Sequence, residues 1–114
     1  MGEPTKAQVK EFWEWCGLDL KGYHCDGDGQ FVKYIGSNRW IWHLPIDLNN
    51  LFKWAVPKVN SSGYYVNLSQ TIYKIDGWHC KVWADDAEIY GKSKHSDPAL
   101  ALFWAIWEVI HGQD

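Results

Sequence analysis

The residues best suited to chemistry in this sequence form one short segment, Gly91–Ser96, just before a predicted helix. Lys92 and Lys94 supply two ammonium groups, while Ser93 and His95 supply a hydroxyl and an imidazole. The first turn of a helix leaves backbone N–H groups unpaired, and its dipole favours negative charge. We therefore predict that this segment is a loop whose four central side chains bind a phosphate group.

The segment does not match a Walker A loop, which needs a glycine five residues before the Gly-Lys-Ser. Asp86 stands at that position. Pro98 removes one backbone donor from the coming helix, and the carboxylate of Asp97 competes with an incoming anion. A solvated turn, with Ser96 or Asp97 serving only as the helix cap, is therefore the alternative interpretation.

A second candidate group interleaves cations with aromatic rings. Arg39, Trp40 and Trp42 follow Lys33 and Tyr34 within ten residues. Aromatic faces stack on nucleobases, and arginine or lysine binds phosphate or the ring itself. We predict that Arg39, Trp40 and Trp42 contribute half of a nucleotide pocket, with burial in the core as the alternative.

Two similar fragments, Gly22–Cys25 and Gly77–Cys80, each place a histidine beside a cysteine. Adjacent side chains on a strand point to opposite faces, so neither His24-Cys25 nor His79-Cys80 can aim both groups at one zinc ion. One residue from each strand could still pair at a metal, but the sequence has no Cys-x-x-Cys spacing. We therefore predict no metal site, with the cysteines on the buried face and the histidines on the other. An odd number of cysteines without a framework spacing favours reduced thiols.

Hydrolytic signatures are missing from the sequence. There is no Gly-x-Ser-x-Gly elbow, and His95-Ser96-Asp97 are chain neighbours rather than a triad assembled in space. We therefore predict a protein that is not an enzyme, uses no cofactor and acts by binding.

Composition limits the partners. The 114 residues carry a formal net charge of −3, and the eleven Lys and Arg residues are dispersed, which argues against long nucleic acids. The longest apolar run, Ala99–Trp107, is too short to span a bilayer, and the charged N-terminus does not resemble a signal peptide. We expect one domain over residues 1–114, located in the cytoplasm.

Periodicity, caps and turn residues predict three helices. The first covers Lys6–Trp15 with Thr5 as N-cap, and the second begins after Asp47 and ends near Ala55 or Val56 because of Pro57. The third begins at Pro98. The predicted strands are Gly22–Cys25, Phe31–Ile35, Asn38–His43, Tyr64–Leu68, Thr71–Ile75 and Trp78–Ala84, with a short further segment at Glu88–Tyr90. Hairpin turns are predicted at Asp26–Gly29 and Asp76-Gly77.

Nine tryptophans and an apolar last helix demand extensive burial. Between Ala99 and Ile110 only Glu108 is charged, so this helix must be covered on several sides, by the sheet and by another helix or a second subunit. In the latter case a homo-oligomer would form through Phe103, Trp104 and Trp107. The element order indicates an α+β layered sandwich with a mainly antiparallel sheet.

Three stretches carry a family resemblance: Phe12–Gly17, Pro45–Lys58 and Asp97–Trp107. On these the chain resembles the phage ABA-sandwich domain family of small bacteriophage proteins. The resemblance implies this fold and a phage origin, and it transfers no catalytic residue. By analogy it implies an accessory, counter-defence protein in the cytoplasm of the infected bacterial host.

The leading hypothesis is sequestration of a small phosphorylated, nucleotide-like ligand. The alternative is a module that blocks a host defence protein, or self-assembles, through an aromatic surface. A third hypothesis comes from the order helix, three strands, helix after Leu48, which is similar to a double-stranded-RNA-binding domain. Ala99, Leu100, Ala101 and Leu102 stand where such domains need cations, so RNA binding is disfavoured.

Overall fold

The computed structural model describes residues 2–25, 29–70, 77–86 and 88–111. Within these ranges two three-stranded antiparallel sheets combine with helices, which confirms the predicted α+β class. The elements in chain order are α1 (Lys6–Trp15), β1 (His24–Cys25), β2 (Gln30–Ile35), β3 (Asn38–His43), α2 (Leu48–Asn50), a π-helical segment (Leu51–Ala55), α3 (Val56–Ser61), β4 (Tyr64–Gln70), β5 (Trp78–Ala84), β6 (Ile89–His95) and α4 (Pro98–His111).

Helix α1 begins and packs as predicted. The Thr5 side chain accepts a hydrogen bond from the backbone N–H of Gln8, whose own side chain accepts one from the backbone N–H of Thr5. Phe12 and Trp13 are fully buried on one face of the helix. The indole N–H of Trp13 donates to the carbonyl of Leu44 at 3.0 Å, which ties α1 to the end of β3.

The middle helix, formed by α2, the π-helical segment and α3, is longer than predicted. Asp47 caps it by accepting from the N–H of Asn50 at 2.8 Å. The expected end near Ala55 or Val56 is wrong because the π-helical segment widens the turns before Pro57. The proline then lies in the first turn of α3, where a missing donor is tolerated.

The π-helical segment also changes which residues face the core. Regular α-helical spacing predicts one apolar stripe of Leu48, Leu51, Phe52 and Ala55, but the side chain of Phe52 is 50% exposed. The buried stripe is instead Leu51, Ala55 and Val59. The wider turns rotate the residues that follow, and Phe52 is left on the solvent side.

The first sheet has the order β1-β2-β3 and is antiparallel throughout. Strands β2 and β3 form a hairpin, in which Ile35 pairs directly with Asn38 across the Gly36-Ser37 turn. Gly36 has a φ of +61°, which glycine adopts without strain. Strand β1 pairs only with Phe31 and Val32, so the outer half of the β2–β3 hairpin extends beyond it.

The second sheet has the order β4-β5-β6. The predicted strand at Thr71–Ile75 lies outside the described residues, as do Asp26–Asp28 and Asp76 of the predicted turns. Strand β5 pairs with β4 along one edge and with β6 along the other. The short segment expected at Glu88–Tyr90 is the beginning of the longer strand β6.

Helix α4 lies against the inner face of the second sheet. Gly91 permits this contact, because a Cβ at that position would lie 2.1 Å from the carbonyl oxygen of Ala105. On its other side α4 meets α1, where the rings of Phe12 and Phe103 have centroids 4.5 Å apart. The buried residues of both sheets and of the helices form one core cluster.

The oligomer surface predicted on α4 is not exposed. Phe103 is fully buried and Trp104 is 6% exposed, while Trp107 is half-buried and stacked on Phe103. The indole N–H of Trp104 donates to the carbonyl of Gly2 at 2.9 Å. The chain itself therefore covers these rings, because α1 and the residues before it pack on the side of α4 that the sheet leaves open.

Candidate functional site

The predicted phosphate-binding loop is a strand. Residues 89–95 form β6, so successive side chains of the segment alternate between the two faces of the second sheet. Lys92 and Lys94 are exposed on the outer face. Ser93 and His95 point to the helix side, where the Ser93 hydroxyl donates to the carbonyl of Ala101. The structure therefore separates the four predicted ligands into two pairs.

The N-terminus of α4 is capped from within the chain. The Asp97 carboxylate accepts from the N–H of Ala99 at 2.8 Å, and the Asp97 N–H donates to Nδ1 of His95 at 3.0 Å. The carboxylate of Asp97 thus occupies the position that a phosphate would need. The capping interpretation is confirmed, and His95 takes part in the cap.

A third lysine, absent from the predicted site, joins Lys92 and Lys94. Lys81 on β5 is the direct partner of Lys92 in the sheet register, and His79 is the partner of Lys94. We call the outer surface formed by His79, Lys81, Lys92 and Lys94 the lysine face. Strand alternation alone places Lys81 on an outer face, but only the strand register shows that it lies opposite Lys92.

The backbone geometry brings Lys81 and Lys92 especially close. The N–H of Lys92 donates to Oε2 of Glu108 at 2.8 Å, so it points to the outer edge of β6 and away from β5. Lys81 and Lys92 are therefore a non-hydrogen-bonded pair, in which Cα atoms approach to about 4.5 Å and side chains are closest. Like charges directly opposite each other destabilise a sheet.

A depression of about 270 Å³ lies at the lysine face and is lined by His79, Cys80, Lys81, Lys92, Ser93 and Lys94. The Nε2 atom of His79 is buried and has no hydrogen-bond partner among the described residues. A buried nitrogen without a partner is costly.

Two aromatic residues continue the same outer face. Tyr65 pairs with Trp83 across β4 and β5, and their ring centroids lie 5.8 Å apart with a 32° angle between the planes. The hydroxyl of Tyr65 donates to the Asp85 carboxylate, and this hydrogen bond raises the pKa of Tyr65. Tyr65 is 48% exposed. The aromatic pair therefore offers an accessible flat surface next to the lysines.

The other predicted half of the pocket lies on a different sheet. Arg39, Trp40 and Trp42 belong to β3, where Trp40 and Trp42 share one face and Arg39 lies on the opposite one. Trp42 packs edge-on against Trp54, with ring centroids 6.4 Å apart. Trp40 is 53% exposed. The structure therefore separates Arg39 from the two indoles, and all three residues lie on a different sheet from Lys92 and Lys94.

The histidine and cysteine pairs also lie on different sheets. Cys80 is buried while its neighbour His79 lies on the outer face, as predicted. Burial raises the pKa of Cys80 to about 12 and that of Cys16 to about 12, so both thiols stay protonated at neutral pH. In the described ranges no cluster of three His, Cys, Asp or Glu side chains is arranged to hold a metal ion.

A larger depression, of about 440 Å³, lies between the beginning of α1 and residues 44–46. The charged residues that line it are Glu3 and Lys6, and because their charges are opposite they do not favour binding of an anion. The depression at the lysine face is smaller, but its charges have one sign and are held by paired strands. We therefore take the lysine face as the candidate site.

Two further structural findings bear on the expected partners. None of the helices in the described ranges is long and apolar enough to cross a membrane. The order helix, three strands, helix is present after Leu48, but the charged residues of α4 are only Glu108 and the titratable His111. The helical cations that a double-stranded-RNA-binding domain needs are thus missing from α4.

No protein-family model matches the chain, and no curated protein and no solved structure is significantly similar to it. The resemblance to the phage ABA-sandwich domain family therefore stays a prediction. The geometry of the chain itself is the evidence on which a function can rest.

Proposed function

We propose that the lysine face binds a small ligand with two or more phosphate groups, and that a nucleoside diphosphate is a member of this class. One observation carries the proposal: Lys81 and Lys92 stand directly opposite each other on an exposed sheet face. The described residues of that face include no Asp or Glu between the aromatic pair and Lys94. A bound polyphosphate would pair with both ammonium groups and remove their mutual repulsion.

The aromatic pair supplies the reason to prefer a nucleotide over inorganic phosphate. Trp83, Lys81 and His79 alternate along the outer side of β5, so neighbours in this series are about 6.8 Å apart. A base stacked on Tyr65 and Trp83 would therefore place its phosphates near Lys81 and Lys92. Base stacking on such rings contributes about 1 to 3 kcal/mol per base.

We assign this face a binding role without catalysis. Two nucleophilic side chains line the depression, Cys80 and Ser93. Cys80 is buried and its pKa is raised to about 12, while the Ser93 hydroxyl donates to the carbonyl of Ala101. Sequestration of a nucleotide signal in an infected bacterial cell would use such a site, in line with the family resemblance. That setting, including a phage origin and a counter-defence role, stays a prediction.

The test is a titration of tryptophan fluorescence with ADP, pyrophosphate and adenosine, repeated by calorimetry. We expect ADP to bind more tightly than pyrophosphate because only ADP has a base to stack. Adenosine should bind weakly because it lacks phosphate. Lys81→Gln and Lys92→Gln should each weaken ADP binding about tenfold or more, the value of one hydrogen bond to a charged group.

Lys21→Gln is the matched control, since Lys21 is an exposed lysine in a turn away from the second sheet. It removes the same charge and should leave ADP affinity unchanged. Equal weakening by all three substitutions would show a non-specific charge effect and refute the site. Absence of binding by both ADP and pyrophosphate to the natural chain would refute the function.

A second candidate is protein binding through an aromatic surface, which the exposure of Tyr34 and Trp40 on the β2–β3 hairpin favours. The surface on α4 that the sequence suggested for this purpose is buried. The hairpin is the aromatic surface that we favour for this second function.

A further inference from the structure

The outer strand of the β2–β3 hairpin, β3, is exposed. Strand β3 is the last strand of the first sheet, and no described strand pairs with its outer edge. Tyr34, Ile35, Trp40 and Ile41 are all about half exposed or more. Natural edge strands are usually protected by lysine, proline or a bulge. Strand β3 contains no lysine or proline, and its pairing with β2 is regular.

The outer strand β6 of the second sheet offers a contrast. It carries Lys92 and Lys94, and the Glu108 carboxylate accepts the outward N–H of Lys92. Charge and a side-chain acceptor therefore protect that edge against strand addition. Strand β3 has a single charged residue, Arg39, and no side chain in the described ranges accepts an outward N–H of this strand.

The hydrogen-bond pattern determines which groups of β3 face outward. The N–H of Leu44 donates to the carbonyl of Gly29 at 2.7 Å, so Leu44 points toward the chain that precedes β2. Hydrogen-bonded positions alternate along an antiparallel pair. Trp42 and Trp40 therefore also bond to β2, and the N–H and C=O groups of Arg39, Ile41 and His43 point to the open edge.

We propose that a second copy of this chain pairs with β3 through an antiparallel, two-fold-symmetric contact centred on Ile41. Two copies of β3 can form hydrogen bonds only in a register that places the outward-facing residues of one copy opposite those of the other. In the register centred on Ile41, all three outward-facing residues, Arg39, Ile41 and His43, take part in the pairing. Ile41 then faces Ile41 of the second copy, and Arg39 faces His43 of the second copy. The two first sheets would join into one continuous sheet.

The side chains of β3 are self-complementary in this register. Trp40 of one copy lies opposite Trp42 of the other at a non-hydrogen-bonded position, where cross-strand side chains are closest. Because the contact is symmetric, four indoles gather on one face, and Trp54 beside Trp42 extends that surface. In this register no two lysines, two arginines or two carboxylates face each other between the two copies of β3. This inference does not depend on the ligand proposed for the lysine face.

Sedimentation over a concentration series tests the contact. We expect the natural chain to rise from 13.3 kDa to twice that mass as its concentration increases. Ile41→Lys should stay monomeric, because the symmetric register would place two ammonium groups face to face. Ile41→Glu should stay monomeric for the same reason, while an equimolar mixture of the two variants should recover the doubled mass.

The matched control is Ile35→Lys, which adds the same charge at an exposed position of β2, away from the open edge of β3. It should dimerise like the natural chain. Circular dichroism of each variant checks that it has folded, and dimerisation should add coupled indole bands that Ile41→Lys lacks. The proposal would be overturned by a natural chain that stays monomeric, or by a mixture of Ile41→Lys and Ile41→Glu that fails to associate.

Discussion

Gly91→Ala offers the sharpest test of the packing that supports the candidate site. The added Cβ would lie 2.1 Å from the carbonyl oxygen of Ala105 and 3.0 Å from Cγ2 of Val109. Side-chain carbons essentially never approach a heavy atom closer than 3.0 Å, so β6 and α4 must separate by about 1 Å. A gap of that size removes roughly a quarter to a half of the dispersion attraction across the contact.

We therefore expect Gly91→Ala to lower the free energy of unfolding by about 3 kcal/mol, the upper end for overpacking. For a chain of this size that corresponds to a fall in Tm of about 12 °C. Urea and thermal denaturation followed by tryptophan fluorescence measure both quantities. Gly2→Ala is the control, because a Cβ there meets nothing within 4 Å. A Gly91→Ala variant as stable as this control would refute the reasoning.

Two other predictions concern individual hydrogen bonds. Trp13→Phe should lower the free energy of unfolding by about 3 kcal/mol in urea denaturation, because the Leu44 carbonyl loses its buried donor and a smaller ring fills the core less well. A decrease in the free energy of unfolding below about 1 kcal/mol would contradict this prediction. The Tyr90 hydroxyl donates to the Asp86 carboxylate at 2.8 Å, which raises the pKa of Tyr90 from 10.0 to about 12 and lowers the pKa of Asp86. This hydrogen bond contributes its full stabilisation at pH values between the ordinary pKa of Asp86 and the ordinary pKa of Tyr90. The contribution is lost at low pH, as the pH falls through the lowered pKa of Asp86 in the folded state. It is lost at high pH as the pH rises through the raised pKa of Tyr90, about 12. Tyr90→Phe should remove one phenolate step near pH 12 from an absorbance titration, and Asp86→Asn should move that step toward 10.0; a step unchanged in both variants would exclude the assignment.

Local sequence signals predicted the elements that local interactions specify. Thr5 and Asp47 cap their helices as expected, because a cap needs only a side chain and the backbone two or three residues away. Strands β2, β3 and β5 follow from aromatic and β-branched runs bounded by turn residues. The predicted end of the middle helix was wrong because proline normally stops an α-helix, and nothing in the sequence signals the π-helical segment that accommodates Pro57.

The candidate site shows the limit of short motifs as predictors. Their place before a helix predicts a binding role for Lys92 and Lys94, yet these lysines share a face because they alternate along β6. The same motif includes Ser93 and His95, which point to the opposite side of the sheet. Lys81 stands eleven residues before Lys92 in an ordinary strand, and no feature near it indicates a binding role.

By itself the sequence determined the fold class, most element bounds and the burial of α4, because periodicity, capping and apolar content act over a few residues. Only the tertiary structure decided that Lys81 lies opposite Lys92, that α1 covers Phe103, and that no described strand covers the edge of β3. The physical reason is that strand order and register depend on how distant segments share one core. The same alternating pattern is compatible with several partners until that core is formed.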